Sequence, residues 1–439
     1  DPRLSHGRVL TIALPILLSN VTVPILGAVD TAVVGQIPAP EPIAAVGVGA
    51  IVLSAIYWTF GFLRMGTSGL TAQAIGEENT PEVAALLSRA LIIGVTAGAV
   101  IIAAQTLLFA GAFAISSASA EAETLARHYM AIRVWSAPAA IALYGITGWL
   151  IAQERTGAVL LIQVLMNGAN ITLDLIFVLH LGWGVPGVAA ATVIAEWSGL
   201  ALGLWLCRAA FRVPAWRDWP RVFDRARLIR MGVVNGDILI RSVLLQAIFV
   251  SFLFWGAKFG DIQLAANQIL LQFLEVTAYA LDGFAIAAES LVGQALGRRD
   301  RLALRRAAIL TSGWGAAICA GLALAFACLG GTVIDIMTTA SEVQTAARHY
   351  LPYMVLAPIA GVAAWMLDGI FIGATRTTDM RNMMVVSTLL YFAAVIPLMA
   401  LFGNHGLWIG LLLSFVFRGL TLGWRYPALE RAALSPSSG

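Results

Sequence analysis

LTAQAIGEEN, from Leu70 to Asn79, and LVGQALGRRD, from Leu291 to Asp300, are one phrase written twice, 221 residues apart. The same offset carries ARHY at Ala126–Tyr129 onto ARHY at Ala347–Tyr350. It also lays Ile43-Ala-Ala on Leu264-Ala-Ala, and Ile151 and Arg155 of IAQERTG on Ile372 and Arg376. Several matches at one register mark the chain as a duplicated unit of roughly 220 residues.

Composition says what kind of unit it is. The chain is 59% apolar and only 12% charged, with a mean hydropathy of +0.85, outside the soluble range. Apolar runs long enough to cross ~30 Å of hydrocarbon recur from end to end. Twelve can be drawn, at about 9–36, 43–75, 83–114, 122–152, 157–181, 185–211, 228–257, 263–296, 303–331, 340–374, 380–402 and 406–424. The runs are continuous rather than alternating, which excludes a β-barrel.

Six spans per copy is an even number, so both copies enter the membrane from the same side. The expected fold is therefore an all-α integral membrane protein of twelve helices, in two six-helix lobes related by a pseudo-twofold along the membrane normal. The lobes are read as residues 1–212 and 228–439, joined by a cytoplasmic linker at 213–227 within the polar stretch VPAWRDWPRVFDRARLIR.

Arginines orient the chain. The linker region carries Arg217, Arg221, Arg225, Arg227 and Arg230, and the 8–9 loop adds Arg298, Arg299, Arg301, Arg305 and Arg306. The opposite loops hold chiefly Arg127, Lys258 and Arg348. This asymmetry places both termini of the multi-pass chain on the cytoplasmic side, and a bacterial inner membrane is the expected location. The acidic 2–3 loop, with Glu77, Glu78 and Glu82, runs against the trend. A net charge of +3 is accounted for by topology and calls for no nucleic-acid partner. Cys207, Cys319 and Cys328 show neither disulfide nor metal spacing.

A carboxylate at mid-bilayer costs at least ~2.5–3.5 kcal/mol, so each one needs a reason. In the first half Asp30 lies deep in span 1, and Asn167, Asn170 and Asp174 share one face of span 5. Span 6 adds Thr192 and, one turn on, Glu196. Acid, amide and hydroxyl groups of this kind suit a shared proton or Na⁺. No arginine or lysine occurs in spans 1, 5 or 6 at matching depth. Pro15 and Pro24 are kink positions in span 1.

The second half differs. Asp237 and Arg241 lie one turn apart on span 7, a spacing that suits a neutralised ion pair as well as it suits transport. Glu275, Asp282 and Glu289 recur every seven residues on span 8, and Asp368 sits in span 10. At the repeat offset Asp30 meets Ser251, Asp282 meets Gly61 and Asp368 meets Thr147. The scaffold is duplicated and the chemistry is not. An enzyme is not expected, since HExxH, GxSxG and clustered histidines are all missing from the sequence.

The strings NGDILIRS at Asn235, TAYALDGFA at Thr277, GQALGRRD at Gly293 and LDGIFIGATR at Leu367 carry a resemblance over the whole chain. It resembles the multidrug and toxic compound extrusion (MATE) transporters of the DNA-damage-inducible protein F (DinF) branch. The resemblance implies export of amphipathic, often cationic, drug-like compounds in exchange for inward H⁺ or Na⁺, with H⁺ favoured by the branch. It implies no cofactor beyond the coupling ion, and a monomer in the lipid bilayer as the working form. Asp30, Asn170, Asp174 and Thr192 fall on the family's cation site, and Pro15 on the span-1 proline at which bending has been proposed. Asp237, Arg241, Asp282 and Asp368 then form a secondary polar cluster in the second lobe. The alternative is a flippase for lipid-linked oligosaccharide or another amphiphile, which places several basic residues in its cavity.

Overall fold

A computed structural model describes residues 4–37, 39–115 and 119–434, and these are helical apart from short connections. Twelve helices are long and apolar enough to cross a membrane, each overlapping one of the expected runs. Spans 1–6 are His6–Val34, Glu41–Gly76, Thr80–Ala103, Ala120–Ala152, Thr156–His180 and Val185–Leu206. Spans 7–12 are Arg225–Phe259, Asp261–Gly297, Arg301–Met337, Ser341–Gly373, Thr377–Phe402 and Asn404–Ala432. The third apolar run is not one helix: it breaks at Ala104, and Gln105–Ile115 forms a separate segment. Large apolar side chains remain exposed along the spans, among them Ile336 and Leu389, as a lipid-facing coat requires.

The duplication extends to backbone detail. Among the described residues four other than glycine have positive φ: Glu78 and Glu154 in the first copy, Arg299 and Thr375 at the equivalent places in the second. Each follows the end of a long helix, where the left-handed conformation lets the chain reverse. Gly182 and Gly403, also equivalent, repeat the device with φ of 68° and 62°. The next helix starts the same way in both copies. Asn79 Oδ1 accepts from the Glu82 N–H at 3.3 Å, and Asp300 Oδ1 accepts from the Ala303 N–H at 3.0 Å. A side-chain oxygen that takes an orphan N–H of the first turn fixes where the helix begins.

The chain divides into two compact units. One runs from Leu18 to Thr71 and from Asn79 to Arg230; the other takes the chain up to Leu17, Ala72–Glu78, and Met231 onward. The exchange inside span 1 falls three residues beyond Pro15. Within the first unit glycines allow close helix approach: a Cβ on Gly148 would stand 2.3 Å from the Arg64 carbonyl oxygen. The equivalent Gly369 in the other unit would meet the Ala285 oxygen at 2.5 Å. Small residues at such crossings are how helices pack where lipid supplies no hydrophobic driving force.

The contrary acidic loop also finds its explanation. Glu82 pairs with the buried Arg89 at 2.5 Å, with Arg221 at 3.0 Å and with Arg227 at 3.1 Å. Arg89 in turn donates to the carbonyls of Val222 and Arg221 at 2.9 and 2.8 Å. The acid therefore pins the basic linker to the start of span 3.

Candidate functional site

The expected first-lobe cluster assembles inside the Leu18–Arg230 unit. Asn167, Asn170 and Asp174 are buried along one face of span 5, as their three- and four-residue spacing dictates. Asp174 ends the α-helical part of that span, and Leu175–His180 continues as a π-helix. Such wider turns occur frequently at functional sites. Asn170 Nδ2 donates to Thr192 Oγ1 at 3.3 Å, and that hydroxyl donates to the Val188 carbonyl at 3.2 Å. Asn167 Nδ2 donates to Thr22 Oγ1 of span 1 at 2.7 Å, which ties spans 1 and 5 together beside the acids.

The Asp174 carboxyl lies within hydrogen-bonding reach of the Asp30 carboxyl. Asp174 is completely buried and Asp30 half-buried. Both Asp174 oxygens, Asp30 Oδ1 and Asn170 Oδ1 are buried, and no donor group among the described residues reaches them. Two facing carboxylates repel, and an amide oxygen cannot relieve them. Only a proton or a cation bonds such a set, since each oxygen is an acceptor. Four oxygens without donors also suit a hard cation such as Na⁺. Thr192 serves differently: its hydroxyl is committed to Asn170 and Val188, so it positions the amide oxygen.

A second group borders the first, and composition alone did not point to it. Arg133 of span 4 donates through Nη1 to the Tyr129 hydroxyl at 3.0 Å. Tyr57 and Ser136 hydroxyls are 3.3 Å apart, and Ser136 donates to the Arg133 carbonyl at 2.8 Å. Glu196 interacts with Arg133 and Ser136, and Tyr129 lies within electrostatic range of both Asp30 and Glu196. The readable signal was Arg133 itself, an arginine well inside an apolar run. Its repeat-borne neighbour Tyr129 closes ARHY.

In the other unit the expected Asp237–Arg241 pair does not form. Arg241 instead reaches Asp368 Oδ2 at 2.5 Å, and Arg418 of span 12 binds the same oxygen. Asp237 takes Arg381 at 2.6 Å and hydroxyls from Thr377 and Thr378 at 3.2 and 2.9 Å. One-turn spacing made the local pair available, but Asp237 is taken by side chains of span 11 and Arg241 by Asp368 of span 10. Asp282 is half-buried near Tyr279, and none of Asp237, Arg241 and Asp368 bonds to it. Asp237 thus belongs to one ion-pair group, and Arg241 and Asp368 to another. Among the described residues no group of three or more His, Cys, Asp and Glu is arranged to hold a metal ion.

The MatE family profile matches residues 15–176 and again 238–401, one match per copy. DNA damage-inducible protein F of Escherichia coli K12 is 39% identical over 420 residues, covering 94% of this chain and 91% of that one. A probable multidrug resistance protein NorM of Synechococcus is 26% identical over 446 residues, covering 95% and 92%. In fold, the Vibrio cholerae MATE transporter VcmN in the bent form superposes with a TM-score of 0.88 over 98% of this chain and 97% of that one, at 20% identity. With both copies matched and a near full-length relative well above a third identical, the chain belongs to the MatE family.

Proposed function

We propose that this membrane protein is a secondary active multidrug efflux antiporter that exports amphipathic or cationic compounds against inward H⁺. The observation that carries the proposal is the facing of the Asp30 and Asp174 carboxyls without a donor between them. The names of its relatives point the same way: one is a probable multidrug resistance protein. A proton taken up from outside joins the two carboxyls and removes their repulsion. Proton and drug must favour different states, because equal affinity for both states shifts nothing. Bound drug then leaves outward, the protonated chain turns inward, and the proton is released to the cytoplasm. Each positive charge moved inward gains about 2.3 kcal/mol per 100 mV of membrane potential.

Pro15, beside the residue at which span 1 changes units, is assigned the hinge. The arginine asymmetry supports cytoplasmic termini, and coupling residues gathered in one unit support a monomer as the working form. A flippase for lipid-linked sugars would need arginines free to hold a diphosphate, whereas Arg241 and Arg418 share Asp368.

The test is efflux of a fluorescent cation from proteoliposomes, with the pH and Na⁺ gradients imposed independently. A pH gradient alone should drive transport, and Asp30→Asn or Asp174→Asn should abolish that drive. Transport driven by Na⁺ alone would reassign the ion to the four-oxygen set. Full coupling in both variants would remove the carboxyl pair from the mechanism.

A further inference from the structure

The arginine-rich end of the unit that takes Met231 onward holds a groove of about 440 Å³ between spans 9, 10 and 12. Its volume lies within the range of about 300–1,000 Å³ usual for small-molecule sites. Ile309 of span 9, Leu367 and Ile370 of span 10 and Pro427 of span 12 give it an apolar wall. Arg301, Arg305, Tyr426 and Glu430 form its polar end.

The polar end is not neutral. Glu430 takes Arg305 in a two-point contact of 2.9 and 2.7 Å, but holds Arg301 only through Nε at 3.5 Å. Two guanidiniums against one carboxylate leave an excess positive charge. The acid is the hidden partner: its side chain is 4% exposed, against 41% for Arg301 and 49% for Arg305. Tyr426 lies beside Glu430, and its hydroxyl is buried against that carboxyl. The groove therefore offers a cationic donor with most of its N–H groups free and an apolar channel leading away from it.

We propose that this groove binds an anionic phospholipid of the inner leaflet. The phosphate sits on Arg301, and the first part of an acyl chain runs along Ile309, Leu367 and Ile370. Arginine at a span end meets the bilayer at headgroup depth, where a phosphodiester can take two of its N–H groups together. Basic pockets between spans on the cytoplasmic side suit anionic headgroups for the same reason. A free phosphate would use the polar end and leave the apolar wall unfilled.

The test uses the purified full chain in neutral detergent, titrated with phosphatidylglycerol, with phosphatidylcholine of the same chains, and with inorganic phosphate. Bound lipid is counted by native mass spectrometry and unfolding followed by thermal melting. Phosphatidylglycerol should be retained and should raise the melting temperature; the other two should not. Arg301→Gln should weaken its binding about tenfold, the loss expected for one charge-assisted hydrogen bond. Ile309→Trp, on a side chain 65% exposed, fills the groove from the apolar side and should weaken it as well. Should Arg301→Gln melt early without lipid, the Ile309→Trp variant decides alone. Equal retention of both lipids, unchanged affinity in Ile309→Trp, or displacement of the lipid by inorganic phosphate would each overturn the assignment.

Discussion

Gly76 and Gly297 occupy equivalent positions in the two copies, and each packs against the backbone that precedes the other. A Cβ on Gly76 would stand 2.1 Å from the Gln294 carbonyl oxygen, and one on Gly297 would stand 2.2 Å from the Gln73 oxygen. The glutamines are themselves equivalents, and Gly293 faces its own counterpart Ala72, with a Cβ separation of 2.6 Å. The phrase that reveals the duplication is thus the place where the two copies touch reciprocally. Its glycines are required by the crossing, with backbone on the other side that cannot move aside as a side chain could.

Two effects of opposite sign meet in Gly76→Ala and Gly297→Ala. Alanine favours a helix by roughly 0.5–1 kcal/mol over glycine. Overpacking against backbone costs typically about 1–3 kcal/mol. The clash should win, so each variant should melt at a lower temperature in detergent. Gly321→Ala, with open space around its Cβ position, is the control and should hold or raise the melting temperature.

Asp368 between Arg241 and Arg418 carries a larger penalty. Removing the acid with Asp368→Asn leaves two buried guanidiniums without their counter-charge, and breaking a buried pair in this way costs about 3–5 kcal/mol. Arg418→Gln leaves Arg241 on Asp368 and should cost less. The order Asp368→Asn worse than Arg418→Gln is checked by melting temperature and by yield of folded protein. The reverse order would mean that Asp368 is not the centre of that cluster.

Much of this was legible in the residues. Twelve apolar runs gave the helix count because membrane thickness fixes their length, and spacings of three and four fixed the face shared by Asn167, Asn170 and Asp174. The break at Ala104 was not legible, since Gln105 interrupts the third run with a single polar residue. Pairings between distant spans were not legible either. Asp237 and Arg241 share a face of span 7, yet span 11 supplies the partners of the first and span 10 the partner of the second, and sequence distance carries no information about them. Arg133 was visible as a charge within a run, but its partners Tyr129 and Glu196 lie on two spans.

Pro15 removes one rung of the hydrogen-bond ladder in span 1, just before the residue at which that helix passes from one unit to the other. Proline inside a helix costs about 3 kcal/mol relative to alanine, so Pro15→Ala should not lower the melting temperature. If the bend is part of the cycle, a straighter, stiffer helix slows turnover while drug binding persists. Efflux rate and equilibrium drug binding, measured on the same preparation, separate the two. Unchanged turnover would leave Pro15 with packing alone.

Thr192 tests the site without touching a charge. Its hydroxyl accepts from the Asn170 amide and donates to the Val188 carbonyl, so it fixes the orientation of that amide and its oxygen. Thr192→Val keeps the shape and removes the acceptor. The loss of one hydrogen bond is worth about 1 kcal/mol, hence roughly fivefold in an equilibrium. Coupled efflux should fall by about that factor, and Thr192→Ser should restore most of it. The proposed H⁺ exchange gives the sign of the pH dependence: with protons arriving from outside, raising the external pH should slow efflux in both the parent and Thr192→Val. A valine variant that transports at the parent rate at every external pH would show that the amide oxygen takes no part in holding the ion.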